Sequence, residues 1–176
     1  GVEMCLLLGA TGVGKTLLLK RLQNLSLRDH HSDVGEPRPG QHRVGTNLTD
    51  LMLHKRKLTV RELGGCMGPI WSSYYRDCSS VIFMIDAANT CQVSASCVQL
   101  LSVLSAEPLQ NAAVLILFNK LDLPCPMSLV EMKSLFRLDD IITCASQPIT
   151  VQEVSARSGR GLQDVLQWLE SHRPSC

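Results

Sequence analysis

The chain has 176 residues, 45% of them hydrophobic, and a formal net charge of +1. That length and hydrophobic share fit one globular domain with a buried core and exclude a disordered chain. The near-zero charge argues against nucleic acid as a partner, and no apolar run reaches the roughly 18 residues needed to cross a bilayer.

In chain order, Met4–Leu8 is a short apolar run that predicts a strand, Gly9–Thr16 a glycine-rich loop, and Leu17–Leu27 a helix by its apolar spacing. Ser26–Gly45 is polar and rich in Gly, Pro, Asp and His, and a loop of that length in a compact domain tends to be functional. Asn47–Leu53 alternates, His54–Lys57 makes a charged turn, and Leu58–Leu63 completes an antiparallel hairpin. Val81–Ile85 and Leu115–Phe118 read as buried parallel strands, with an amphipathic helix over Val93, Cys97, Leu100, Leu101 and Leu104 between them. Ser128 and Glu131 form a capping box before Met132, Leu135 and Phe136. Ile149–Val154 is the last strand, and Leu162, Val165, Leu166 and Leu169 mark the last helix. Strands alternating with helices predict an α/β fold with a mostly parallel six-stranded sheet, helices on both faces and one antiparallel edge hairpin, as a single domain over residues 1–176.

None of the eight cysteines forms a CxxC pair, so neither a zinc site nor a disulfide framework is indicated, and free thiols are expected. The N-terminus shows no secretory signal. Leu6 replaces the Ser/Thr of a myristoylation signal, and Arg173 stands where a prenylation box has its Cys. These observations predict a cytoplasmic protein, monomeric, with no stable membrane anchor.

The stretch GATGVGKT matches G-x-x-x-x-G-K-[ST] at every fixed position, between a predicted strand and a predicted helix. It nominates Gly9, Ala10, Thr11, Gly12, Val13, Gly14, Lys15 and Thr16 as phosphate-binding residues. Gly12 and Gly14 permit the backbone angles that turn successive N–H groups inward as an anion nest, and the helix N-terminus adds its dipole. Lys15 would reach the β- and γ-phosphates, and the Thr16 hydroxyl would ligate Mg²⁺.

FNKLD at 118–122 lies at the carboxyl end of an apolar strand, where open α/β sheets bind ligands. Guanine presents N1–H and N2–H₂ donors together, and the acceptor-only Asp122 carboxylate can take both. Adenine would set a lone pair against it, leaving a buried acceptor unpaired. Asn119 is suited to fix the loop and contact the base edge, and Lys120 to lay its stem over the purine. In EVSARSG at 153–159, Ser155 and Ala156 place a small residue whose backbone N–H can approach guanine O6.

Together these motifs resemble the Ras-like small GTPases, and in particular their ADP-ribosylation-factor-like branch. The resemblance spans the chain and is carried further by Gly45-Thr46-Asn47-Leu48, by Glu62-Leu63-Gly64-Gly65 against that branch's D-V-G-G, and by Trp71 with Tyr74-Tyr75. It implies a P-loop G domain with a first switch at about 26–46, an interswitch hairpin at about 47–63 and a second switch at about 64–77. It also implies GTP/GDP and Mg²⁺ as cofactors, with effector proteins, an exchange factor and a GTPase-activating protein as partners. Gly64 is expected to offer its N–H to the γ-phosphate, and Trp71, Tyr74 and Tyr75 are a candidate effector contact, with core packing the more common role for at least one of them. The hairpin could slide between nucleotide states, but without coupling to an N-terminal helix, since only about three residues precede the first strand.

Several positions depart from the family pattern. Arg43 stands where the first switch carries the Thr that closes the Mg²⁺ shell. Either that ligand is lost, or the loop shifts register so that Thr46 serves and Arg43 resembles the internal arginine finger of heterotrimeric G-protein α subunits, or Arg43 is a solvated loop residue. Glu62 replaces the Asp that holds the Mg²⁺ shell, which suggests contact through water. Cys66 replaces the glutamine that orients the attacking water, and a thiol is a weak donor and weak acceptor. These departures predict a GTP-dependent molecular switch with slow intrinsic hydrolysis, or a constitutively nucleotide-bound interaction module. A nucleoside kinase would share the phosphate loop but needs no NKxD.

Overall fold

The computed structural model describes residues 3–29, 46–54, 56–119 and 128–172. Among these, six strands form one sheet: β1 (Met4–Gly9), β2 (Thr46–Met52), β3 (Lys57–Leu63), β4 (Ser80–Asp86), β5 (Ala113–Asn119) and β6 (Ile149–Val154). Their spatial order is β2-β3-β1-β4-β5-β6. Every neighbouring pair is parallel except β2 with β3. The predicted architecture therefore holds, including the antiparallel hairpin at the edge.

Alternation along the central strands divides the core into two layers. Cys5 and Leu7 of β1, Ile82 and Met84 of β4, and Leu115 and Leu117 of β5 face α1 (Lys15–Asp29) and α5 (Leu162–Ser171). Leu6 and Leu8, Val81, Phe83 and Ile85, and Val114, Ile116 and Phe118 face the other way. That layer packs on α2 (Val93–Ser105), α3 (Leu129–Phe136) and α4 (Leu138–Cys144). Strands buried on both faces explain the unbroken apolar runs in the sequence.

The N-cap half of the capping box is formed: the Glu131 N–H donates to Ser128 Oγ at 3.2 Å and starts α3. Two elements differ from the sequence expectation. The residues after Gly64 form a 3-10 helix, Gly65–Tyr74, with Pro69 inside it. Helix α4 follows α3 directly, across Arg137 in the left-handed region at φ 51°.

The described cysteines (Cys5, Cys66, Cys78, Cys91, Cys97 and Cys144) are free thiols. Burial pushes Cys5 and Cys78 up to about 12, which keeps both protonated and unreactive.

Candidate functional site

Strand β1 sits where the chain reverses its direction of travel across the sheet, with β3 on one side and β4 on the other. Ligands of open α/β sheets bind at the carboxyl ends of the strands beside such a point. Residues 9–16 leave β1 there. Glu62 nears the end of β3, Asn119 ends β5, Ser155 and Ala156 follow β6, and Thr46 opens the antiparallel β2 opposite Leu63, so one edge of the sheet gathers every described site residue.

Gly12 and Gly14 adopt φ 81° and 99°, the left-handed conformations required by the anion nest inferred from the motif. The loop then enters α1, whose first internal hydrogen bond runs from Leu18 N–H to Gly14 O at 3.0 Å. Lys15 is 7% exposed, and its Nζ donates to Gly9 O at 2.6 Å and Ala10 O at 2.9 Å. An ammonium has three N–H donors, so one remains for a phosphate oxygen. Burial lowers the Lys15 pKa to about 8, partly offset by the Glu62 carboxylate and by Cys66.

This depressed pKa gives a pH dependence of defined sign. Folding moves Lys15 from its ordinary 10.5 to about 8, so folding carries the full charging penalty below pH 8. The penalty disappears as pH rises from 8 towards 10.5, and stability rises with it. Phosphate binding needs the charged form. GDP affinity should therefore fall as pH rises above 8, with a proton taken up on binding there. Calorimetry in buffers of different ionisation enthalpy measures that proton. Glu62→Gln should move the fall to lower pH, since Glu62 raises the Lys15 pKa.

Thr16 Oγ1 donates to Glu62 Oε1 at 2.6 Å, and Glu62 is 9% exposed. Two hard oxygen donors meet beside the phosphate loop, which suits Mg²⁺, a cation that keeps several waters and takes one or two protein ligands plus phosphates. The longer Glu side chain reaches Thr16 directly.

The structure does not bring Thr46 to this pair. Residues directly opposed across a ladder share a face. Glu62 opposes Asn47 and, on its other side, Leu7, whereas Thr46 opposes Leu63. Leu63 belongs to the layer of α2, and Glu62 faces α1. In this register Thr46 lies on the wrong face to share a metal with Thr16, and Asn47, which the sequence motifs do not single out, lies on the right one. Arg43, the alternative centre of the first switch, lies outside the described residues, as do Lys120 and Asp122.

The two glycines after β3 play different parts. A Cβ built on Gly64 would meet only side-chain atoms, Met67 Sδ at 3.6 Å and Cys66 Sγ at 3.8 Å. A Cβ on Gly65 would lie 2.1 Å from Thr11 N and 2.5 Å from the Ala10 carbonyl carbon. Gly65, rather than Gly64, is thus the residue whose backbone rests on the phosphate loop. Gly64 instead anchors the 3-10 helix, for its carbonyl accepts from Trp71 Nε1 and from Met67 N–H, both at 3.0 Å. Trp71 and Tyr75 are 2% and 5% exposed, and Trp71 meets Phe83 edge-on. Both belong to the core, which corrects the expectation that they form a contact surface with Tyr74. Tyr74 is half-buried, with the Arg61 guanidinium over its ring. Cys66 is exposed.

Asn119 is fully buried. Its Nδ2 donates to Val13 O at 2.8 Å, and its Oδ1 accepts from Ala156 N–H at 3.1 Å. The amide orientation follows, because a flipped side chain would oppose acceptor to acceptor at one end and donor to donor at the other. One side chain thus ties together the phosphate loop, the end of β5 and the Ser155-Ala156 loop. That loop is closed on itself by Ser155 N–H to Arg160 O and by Ser158 N–H to Ser155 Oγ. The Ala156 N–H expected to approach guanine O6 is held by Asn119 here, so O6 would have to share it.

Comparison with known proteins agrees with this geometry. The family model of the ADP-ribosylation factor family matches residues 3–173. The chain belongs to the ADP-ribosylation factor family. It is 66% identical over 171 residues to human ADP-ribosylation factor-like protein 16, an alignment covering 97% of this chain and 86% of that protein. It is 32% identical to ADP-ribosylation factor-like protein 1 of Saccharomyces cerevisiae, over 93% of this chain and 84% of that one. Its fold is similar to that of the Arl6 BBS3 small GTPase of Trypanosoma brucei with bound GppNp. The TM-score is 0.78 at 16% identity, covering 97% and 96% of the two chains. Membership places the chain among the Arf-like small GTPases, a family of GTP-binding switches. No helix among the described residues is long and apolar enough to cross a membrane.

Proposed function

We propose that this protein is a GTP/GDP switch that recruits effector proteins in its GTP state and hydrolyses GTP slowly by itself. The observation that carries this reading is the contact between segment 62–66 and the phosphate loop: Glu62 on Thr16, and Gly65 on Ala10 and Thr11. A γ-phosphate arriving at that loop, with Mg²⁺ on Thr16 and the Glu62 carboxylate reached through water, would reset both contacts. The change would pass into the 3-10 helix through Gly64 and Trp71. Ile70 on that helix and Leu48 on β2 are 49% and 54% exposed. Leu48 shares a face with Arg61, which covers Tyr74. This apolar surface is a better effector contact than the buried Trp71.

Slow hydrolysis follows from Cys66, whose thiol cannot hold a water as a glutamine amide can. An exchange factor and a GTPase-activating protein would then set the cycle, in a cytoplasmic protein. Cys66 also favours the second reading, a module that stays nucleotide-bound and seldom cycles. Nucleotide choice is tested by competition against labelled GDP. GTP should displace it and ATP should not; equal competition by ATP would sink the guanine assignment and favour a kinase.

A further inference from the structure

Helix α1 follows directly from the phosphate loop, and its fully buried Leu18 and Leu22 seat it in the core layer it shares with α5. Arg21, just before Leu22, is exposed. An exposed helical arginine is ordinarily a solvated charge worth little. Here the guanidinium donates from an Nη to the carbonyl oxygen of Arg157, 136 residues further along the chain. Arg21 belongs to none of the sequence motifs that nominate the nucleotide site.

The acceptor it chooses lies in a loop that is closed on itself. Ser155 N–H donates to Arg160 O and Gly159 N–H to Ser155 O, both at 2.9 Å. Such a unit is aimed by the bonds that reach it from outside. From the sheet side, Asn119 Oδ1 accepts from the Ala156 N–H at 3.1 Å. From the α1 side, Arg21 grips the carbonyl of the next residue, and a charged donor makes the stronger kind of hydrogen bond. Arg21 stands six residues after Lys15, about 9 Å along the helix axis. One rigid helix thus carries both the buried ammonium of the phosphate loop and a hold on the Ser155-Ala156 loop. Their spacing is set before a ligand arrives, which lowers the cost of ordering the site.

On the guanine-nucleotide reading, we propose that Arg21 is a positioning residue for the base: from α1 it holds the loop at Arg157 so that the Ala156 N–H meets guanine O6. The test measures equilibrium binding of GDP and of 6-thio-GDP to the full chain. The thio analogue keeps the N1–H and N2–H₂ donors but replaces O6 with sulfur, a weak acceptor. Arg21→Met, which keeps an unbranched stem and loses the donor, should bind GDP at least about fivefold more weakly than the wild type. Its loss for 6-thio-GDP should be about twofold or less, because the bond that Arg21 positions is already weak there. Arg21→Lys restores one cationic donor and should return GDP affinity to within about twofold of the wild type. The empty Arg21→Met protein should melt within about 2 °C of the wild type, as an exposed substitution does. A wild type that fails to bind GDP would overturn the nucleotide reading itself. A wild type that binds GDP would instead overturn the role of Arg21 alone if Arg21→Met binds GDP equally well, if it loses the same factor for both nucleotides, or if Arg21→Lys recovers nothing.

Discussion

Asn119→Ala is expected to unfold well below the wild-type temperature and to lose most of its affinity for guanine nucleotide. The substitution removes the bonds to Val13 O and Ala156 N–H together and leaves both groups buried without a partner. Each orphaned group costs about 1–3 kcal/mol, so the loss is about 2–6 kcal/mol. In a domain of this size every kcal/mol moves Tm by about 2–4 °C, which puts the fall at roughly 4–24 °C. Affinity falls for a related reason: the phosphate loop and the Ser155-Ala156 loop are no longer held at a fixed distance, and a ligand must order them on binding. Thermal unfolding with and without excess GDP separates the two effects. A variant with wild-type Tm, or one whose Tm still rises with GDP as the wild type's does, would show that Asn119 is not the tie.

Gly65→Ala should act on switching and spare the fold. Its Cβ would lie 2.1 Å from Thr11 N, and the obstruction is backbone, which cannot rotate away. The start of the 3-10 helix must therefore lift from the phosphate loop. Gly65 is not in the left-handed region, so alanine brings no backbone strain of its own. GDP binding should persist. The difference between GDP and a non-hydrolysable GTP analogue, read by fluorescence of Trp71 in that helix, should be lost. A variant that keeps the full wild-type difference would mean that contact at Gly65 does not transmit nucleotide state.

Much of this site is legible in the sequence, for physical reasons. GATGVGKT demands positive φ at fixed positions and a lysine at a fixed reach, so the motif carries its own geometry. The parallel strands stand out because burial on both faces leaves no polar position. Other features have no local signal. Helix α4 has only seven residues, and it begins after Arg137 with neither a capping side chain nor a helix breaker to mark the boundary. The face on which Thr46 lies depends on the hairpin register, in which Leu51 opposes Leu58, and a shift of one residue would reverse it. The division of labour between Gly64 and Gly65 depends on how a 3-10 helix lands on a loop more than fifty residues away. The NKxD motif suits Asn119 to loop fixing and base contact, but only the fold shows that both ends of its amide are engaged within the protein. The sequence leaves Trp71 and Tyr75 between an effector contact and core packing, because aromatic residues near a switch suit either role; the sheet face beneath them decides for the core.

The central claim is that segment 62–66 detects a γ-phosphate that Cys66 is poorly equipped to remove. Single-turnover phosphate release from the GTP-loaded wild type and from Cys66→Gln tests it most directly. Glutamine restores a donor and an acceptor beside the phosphate loop, and such groups contribute on the order of tenfold to several-hundredfold in rate. The variant is therefore expected to release phosphate at least about tenfold faster than the wild type. Equal rates, or a faster wild type, would contradict the claim.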